Sequence, residues 1–480
     1  PVAGFIVKKQ VEAVDLDALD DAYEEIKASV GEEIQDYYQT ECPHCEDHHA
    51  DAMYSFWVKE LPCRNCGESV PLFKDYRLAN ARSSKDDYYN VVCPDCWHVF
   101  QTGDYRSETA CPECSHEYVP KDAGHVSRKN YTCPHCSEHP EMSIIESVER
   151  FGKPDESLYA VEYYCPETDE KGYKSAEQFD RDRFQEAEEE LERKWDELPI
   201  PTTERYIGTS DFARNHGYER YDQMFNSRQL LCLSKLLSEI DDIENQNVKE
   251  FLLLAFSDTT TFNNMFCEYH TSANKIQGIY KRHTITARHT PVENNVWGTE
   301  EGAATFSTEF NKMRAGKEFC SNPYEKYVED GETKQRDGVG KVEGFVTDHP
   351  DNIGKPVDGV DGATYNTHLR CGTSEYLPIE DSSVDAVVTD PPYFDNVMYA
   401  EVADFYYVWL KQVLEDEYEH FNAELTPKAS EAVVDRKNEE NVETFRDENH
   451  FIDVLTSVFS ESHDKLKDEG IMAFTFHHKE

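Results

Sequence analysis

Positive charge is what this sequence has least of. Its 480 residues carry 48 Lys and Arg against 97 Asp and Glu, a formal charge of −49. That excess goes far beyond what solubility asks of a surface. A disordered acidic chain is one way to be so charged, but 28 Tyr, 25 Phe and a 38 % share of hydrophobic residues exclude it. The remaining reading is a folded, halophilic protein, whose carboxylate-rich surface suits a cytoplasm at very high salt where repulsion is screened over a few Å. The acidity therefore leaves a nucleic-acid partner open. Apolar runs long enough to span a bilayer, about 18 residues, are also lacking, so the expectation is a cytoplasmic protein with no membrane partner. The chain starts on "PVAGFIVKKQ", without an initiator Met or the charged-then-apolar pattern of a signal peptide, and stops on the strand-like "GIMAFTFHHKE". Both ends read as cut, and a fragment of a longer protein is expected.

Residues 4–38 alternate apolar and charged positions at helical spacing, and residues 39–140 turn to Cys, Pro, His and Tyr with little helical period. A charged helix at 175–197 is stopped by Pro199 and Pro201 and reads as a solvated spacer. Two helices with apolar faces fill 221–268, and 291–362 is rich in Gly, Asp and Pro. The last segment returns to strand–helix–strand order: "THLRCG" and "SVDAVVTD" as strands, helices at 399–413 and 447–467, and "GIMAFTF" as a final strand after the turn "KDEG". That order argues a parallel α/β sheet.

Fifteen cysteines are enough for a secreted disulfide scaffold, but their spacing points to metal. Five C-x2-C knuckles occur: Cys42/Cys45, Cys63/Cys66, Cys93/Cys96, Cys111/Cys114 and Cys133/Cys136. Two thiolates so spaced grip one face of a tetrahedral Zn2+, and a second knuckle closes the shell. The first two knuckles are 17 residues apart and the third and fourth 14 apart. The spacing predicts one site from Cys42, Cys45, Cys63 and Cys66, and another from Cys93, Cys96, Cys111 and Cys114. The fifth knuckle has Cys165 downstream, in "YYCPETDE", where a partner three residues on would be Thr168. His135, His139 or an acidic residue would then complete a third site. Closed thiolate shells of this kind hold small domains together and do no chemistry. Cys232, Cys267, Cys320 and Cys371 read as small core residues.

In "SVDAVVTDPPYFDNV" an apolar strand delivers Asp390 to its carboxyl end, where open α/β sheets bind ligands. Pro391 and Pro392 stop the ladder and fix the backbone carbonyl, and Tyr393 offers a flat face. An exocyclic amine conjugated to a base is a poor nucleophile. Two acceptors, the Asp390 carboxylate and the Pro391 carbonyl, can hold its N–H groups and leave the lone pair toward a methyl donor. Tyr393 can stack on a base swung out of the duplex.

On these residues the chain resembles the zinc-ribbon-containing adenine-specific DNA methylases, amino-methyltransferases that carry (D/N/S)PP(Y/F). "FNSRQLLCLSKLL", "ENNVWG", "LTPKASEAV" and "FTFHHK" add to the likeness, in order along the chain. The resemblance implies a Rossmann-like S-adenosylmethionine-dependent methyltransferase sheet with inserted zinc ribbons. It divides the chain into the helical end of a cofactor half (1–38), a zinc-ribbon insertion (39–174), a helical and loop-rich middle (175–345) and a catalytic half (346–480). It further implies double-stranded DNA with a flipped base as partner, a role in modification or host defence beside defence-system proteins, and Ser374 and Glu375 near the cofactor's adenine. Lys428, His477 and His478 are further cleft candidates, and "NKIQGIYKRHTITARH" at 274–289, with Lys281, Arg282 and Arg288, is the one basic stretch for DNA. The family's Gly-rich cofactor loop has no counterpart here, since "DGVGK" at 337–341 follows no strand. The alternative reading is a non-catalytic zinc-ribbon module that binds nucleic acid or assembles with partners beside a relic methylase half.

Overall fold

The computed structural model describes residues 1–45, 49–81, 87–136, 140–206, 213–281, 284–299, 301–338, 344–435 and 446–476. The chain divides into two compact units: one of Asp17–Arg205 with Phe212–Met313, the other of Pro1–Leu16, Tyr206–Asp211 and Arg314–Glu480.

The first unit is organised by a six-stranded sheet of β1 (Gln39–Glu41), β2 (His49–Pro62), β3 (Ser69–Pro71), β4 (Asp155–Cys165), β5 (Glu170–Ser175) and β6 (Val292–Asn294). Every pairing in it is antiparallel, and β2 is the hub, with β1, β3, β4 and β6 all bonded to it. β2 is 14 residues long and almost wholly buried. Its sequence, "HADAMYSFWVKELP", is rich in aromatic and β-branched residues and has no Gly or Asn to turn it, so it stays extended. Tyr54, Phe56 and Val58 on it meet Phe73, Tyr76, Tyr159 and Val292 in one aromatic-rich core.

Helices cover this sheet. The segment read as a spacer forms α1 (Gln178–Lys194), and it is no solvated spacer: Ala187 and Leu191 are buried and it packs on α2 (Ser227–Asp241). Glu190 on α1 accepts a hydrogen bond from the Tyr37 hydroxyl at 2.7 Å and pairs with Lys235 of α2 at 2.5 Å. Burial works against its charge, but Lys235, Tyr37 and Lys194 hold the carboxyl at about 2. α2 opens with a capping box from Asn226 and Gln229 and leads on to the buried α3 (Gln246–Phe262).

Two sequence blocks meet at a buried ion pair. Arg228, from "FNSRQLL", donates to both oxygens of Glu293, from "ENNVWG", at 2.8 Å each, and also to the Tyr37 carbonyl and the Ser55 hydroxyl. Trp57 Nε1 donates to the same carboxylate at 2.8 Å. Asn294 and Asn295 tie down Ala303, Ala304 and Ala52 through their carbonyls. Trp297 stacks on Tyr23 and lies so close to Gly31 that a Cβ there would meet its ring at 2.7 Å. That glycine ends a single π-helical turn, Lys27–Gly31, which accommodates the indole.

The second unit holds small sheets. β7 (Val384–Thr389) pairs in parallel with β8 (Leu466–Phe474), and the order is strand, α4 (Tyr399–Leu414), α5 (Glu448–Lys465), strand. This is the predicted strand–helix–strand grammar, with "KDEG" looped out as a bulge, since the partners jump from Val384/Leu466 to Ala386/Ile471. The broad parallel sheet of a Rossmann-like methyltransferase is not shown: among the described residues the parallel strand pairs are β7–β8 and the short pair Val346–Thr347 with Thr367–His368, beside one isolated parallel bridge between Glu12 and Gly344. Parallel strands are ordinarily covered on both faces, whereas Val388 is 81 % exposed and Ile471 67 %. What is shown is a mixed α/β chain with cysteine clusters. No helix among the described residues is long and apolar enough to cross a membrane.

Candidate functional site

The eleven cysteines singled out as ligands fall into three clusters: Cys63, Cys66, Cys133 and Cys136; Cys93, Cys96, Cys111 and Cys114; and Cys42, Cys45 and Cys165. The second grouping is the one that the spacing predicts. The first predicted site, Cys42 and Cys45 with Cys63 and Cys66, does not form. Those knuckles sit at opposite ends of β2, whose 14 residues at about 3.3 Å each keep them roughly 45 Å apart. The antiparallel β4 brings Cys165 back to the Cys42 end, with Tyr164 opposite Asp51. At the other end, the pairing of Asn130–Thr132 with Glu141–Ser143 presents Cys133 and Cys136 to Cys63 and Cys66. The 14 residues between Cys96 and Cys111 contain Gly103–Asp104 for a tight turn, whereas β2 contains no Gly.

The sulfurs are spaced for a metal. Cys63–Cys136 and Cys66–Cys133 are 3.6 and 3.8 Å apart, Cys93–Cys114 and Cys96–Cys111 3.6 Å, and Cys45–Cys165 3.7 Å. A disulfide needs about 2.05 Å, while a tetrahedron of thiolates at about 2.3 Å from Zn2+ spaces its sulfurs ~3.8 Å apart. The donor set therefore fits a metal ion such as zinc. Three of the knuckles share one backbone. The N–H of Cys63, Cys93 and Cys111 donates to the carbonyl five residues on, at Glu68, His98 and His116. The residue after the second cysteine is left-handed, with φ of +79° at Gly67, +58° at Trp97 and +62° at Ser115. His135 takes no part in a cluster, and His139 lies outside the described residues. Cys232 and Cys267 are buried as expected, but Cys320 is half-buried and Cys371 exposed, so these two are not core residues.

In the other unit, Asp390 follows β7 at its carboxyl end, exposed. Its Oδ1 accepts hydrogen bonds from the hydroxyls of Tyr393 and of Thr475, which follows β8, and those hydroxyls lie 2.9 Å from each other. Hydrogen bonds from Thr475 and then Tyr393 hold the Asp390 carboxyl below the usual carboxylate range, and the bond to Asp390 pushes the Tyr393 phenol up. Thr475, in "FTFHHK", is the residue that sequence reasoning missed; the parallel register that sets Thr389 beside Phe474 brings it there. Phe394, directly after the turn, has a left-handed backbone with φ +41°, a strained conformation for an aromatic residue. It is held by Val434, whose N–H donates to its carbonyl at 2.9 Å, and by the Phe451 ring.

The remaining candidates are placed differently. Ser374 is exposed and Glu375 half-buried on a turn before β7, where Glu375 accepts from the Thr373 hydroxyl at 3.1 Å. Lys428 is buried and ion-paired with Asp404 of α4 at 2.6 Å, so it is a packing residue and not a cleft cation. In the basic stretch, Lys281 and Arg288 both pair with Glu268, which takes much of their charge; Arg282 lies outside the described residues, as do His477, His478 and residues 339–341 of "DGVGK", which does follow a strand, Glu332–Asp337, contrary to expectation. No family profile, curated protein or solved structure matches the chain.

Proposed function

We propose that the chain belongs to an enzyme that methylates the exocyclic amine of adenine, N6, in DNA, with Asp390, Pro391, Pro392 and Tyr393 as the amine-binding turn. The observation that carries this reading is the exposed Asp390 carboxylate at the carboxyl end of a parallel strand, with the hydroxyls of Tyr393 and Thr475 both donating to its Oδ1. An acceptor so placed, beside the Pro391 carbonyl, can take the two N–H groups of an amine. The strained Phe394 next to it fits a turn kept for binding, since such strain gathers at ligand sites. S-adenosylmethionine as methyl donor comes from the resemblance of the motif, and the residues described supply the amine side of the reaction. The test is transfer of labelled methyl from S-adenosylmethionine to adenine N6 of DNA in high KCl, comparing the full-length protein with Asp390→Ala. Label that the variant loses supports the enzyme.

A second reading has its own support. The unit with three thiol clusters is the larger and better packed of the two. A zinc-ribbon module that binds nucleic acid would need that unit and no methyl donor. Absence of methyl transfer from a folded, metal-loaded protein that still binds DNA would favour it.

A further inference from the structure

The third cluster has three thiols, and the turn that carries Cys165 marks the place of the fourth. "CPETDE" at 165–170 matches "CPDCWH" at 93–98 and "CPECSH" at 111–116, with Thr168 where they have the second cysteine. The backbone repeats as well. Cys165 pairs with Glu170, five residues on, as Cys93 does with His98 and Cys111 with His116. Asp169, after Thr168, is left-handed at φ +54°, as Trp97 and Ser115 are at +58° and +62°. The backbone N–H of Thr168 donates to Cys165, as those of Cys96 and Cys114 donate to Cys93 and Cys111, and the Thr168 hydroxyl bonds to Cys165 too. The segment is a sixth knuckle with a hydroxyl in place of its second thiol.

A neutral alcohol is a poor ligand for a thiolate-bound ion, and a tetrahedral ion short of one protein ligand keeps a replaceable one. Among the described residues no other Cys, His, Asp or Glu atom joins the three thiols. His44, the nearest described imidazole in sequence, has Nε2 2.9 Å from the Tyr163 hydroxyl and 3.2 Å from Glu170. Thr168 itself is exposed and Cys45 half-buried, so small molecules have a way in. We propose that Cys42, Cys45 and Cys165 bind a zinc-type ion through three thiolates, with the fourth position, at Thr168, open to an exchangeable ligand such as water or a free thiol. The other two clusters are closed four-thiolate sites, so one chain carries two inert ions and one accessible one.

The test is reconstitution of the full chain with Co2+ in molar KCl, read by visible absorption and by metal content during an EDTA challenge. Loss of a group that merely supports a metal ligand costs about 10–100-fold in affinity, so a missing ligand should cost at least about as much. Three equivalents are expected, one of them released at least about tenfold sooner and changing its d–d bands when β-mercaptoethanol is added. In Thr168→Cys that equivalent should become as resistant as the others, with four-thiolate bands that no longer respond to thiol. Cys165→Ser should lose it and keep the other two. Binding of two equivalents at saturating Co2+ would overturn the proposal, as would a third that resists EDTA as well as the rest in the wild type. So would its disappearance in His48→Ala, a histidine three residues after Cys45 that lies outside the described residues, which would give the fourth position to an imidazole.

Discussion

Arg228 and Glu293 show what a single buried contact does in this protein. The guanidinium is 2 % exposed and the carboxylate 0 %, and between them they join α2, β6, β2 and the Tyr37 carbonyl. Removing one partner leaves the other charged and buried, so Arg228→Ala should cost about 3–5 kcal/mol, read as a lower midpoint in denaturant titration at constant salt. A second residue-scale effect concerns acid. His289 and His216 lie 6.4 Å apart, and burial, then Lys59 next to both, pushes each imidazole down to about 4. Lys59 is itself pushed down to about 7 by burial. The unfolded chain protonates these histidines near pH 6.5, where the fold still keeps them neutral. Stability is then lost as pH falls from about 6.5 toward 4. His289→Gln should flatten the slope of unfolding free energy against pH in that window, and an unchanged slope would remove the histidine from the account.

At the scale of elements, β2 is a ruler that decides which knuckles meet. It separates Cys42 and Cys45 from Cys63 and Cys66, and its partners bring Cys165 to one end and Cys133 with Cys136 to the other. Metal analysis of purified variants can check this pairing. Cys133→Ser should lower metal retention at the same site as Cys63→Ser, so the double variant loses no more than either single one. Cys42→Ser combined with Cys63→Ser should lose from two sites. The parallel pair β7–β8 works similarly for Asp390, because its register places Thr475 against the turn. Thr475→Val should leave the fold intact and reduce any activity or amine binding that Asp390 supports, with Thr475→Ser restoring it.

For the whole molecule, charge matters most. A net −49 makes the compact state self-repelling at low ionic strength. The Debye length shortens from about 10 Å at 0.1 M to ~3 Å at 1 M salt, so the unfolding temperature should climb across that range and on into molar KCl. A thermal midpoint that does not move, or that falls, would contradict the high-salt reading.

Much of the local structure was legible. The helices at Tyr399–Leu414 and Glu448–Lys465, the strand before Asp390 and the Cys93–Cys114 site follow from apolar period, from a Gly–Asp turn and from the two prolines, all properties of adjacent residues. What the sequence by itself determined was the chemistry available: thiols in pairs three apart, an acid before two prolines, a surface of carboxylates. Which pairs share an ion, that α1 is packed rather than solvated, that Lys428 is buried on Asp404, and that Thr475 reaches Asp390 were decided by tertiary structure. The reason is that each depends on groups far apart in the chain being brought together by strand length and register, and spacing along the sequence carries no measure of either.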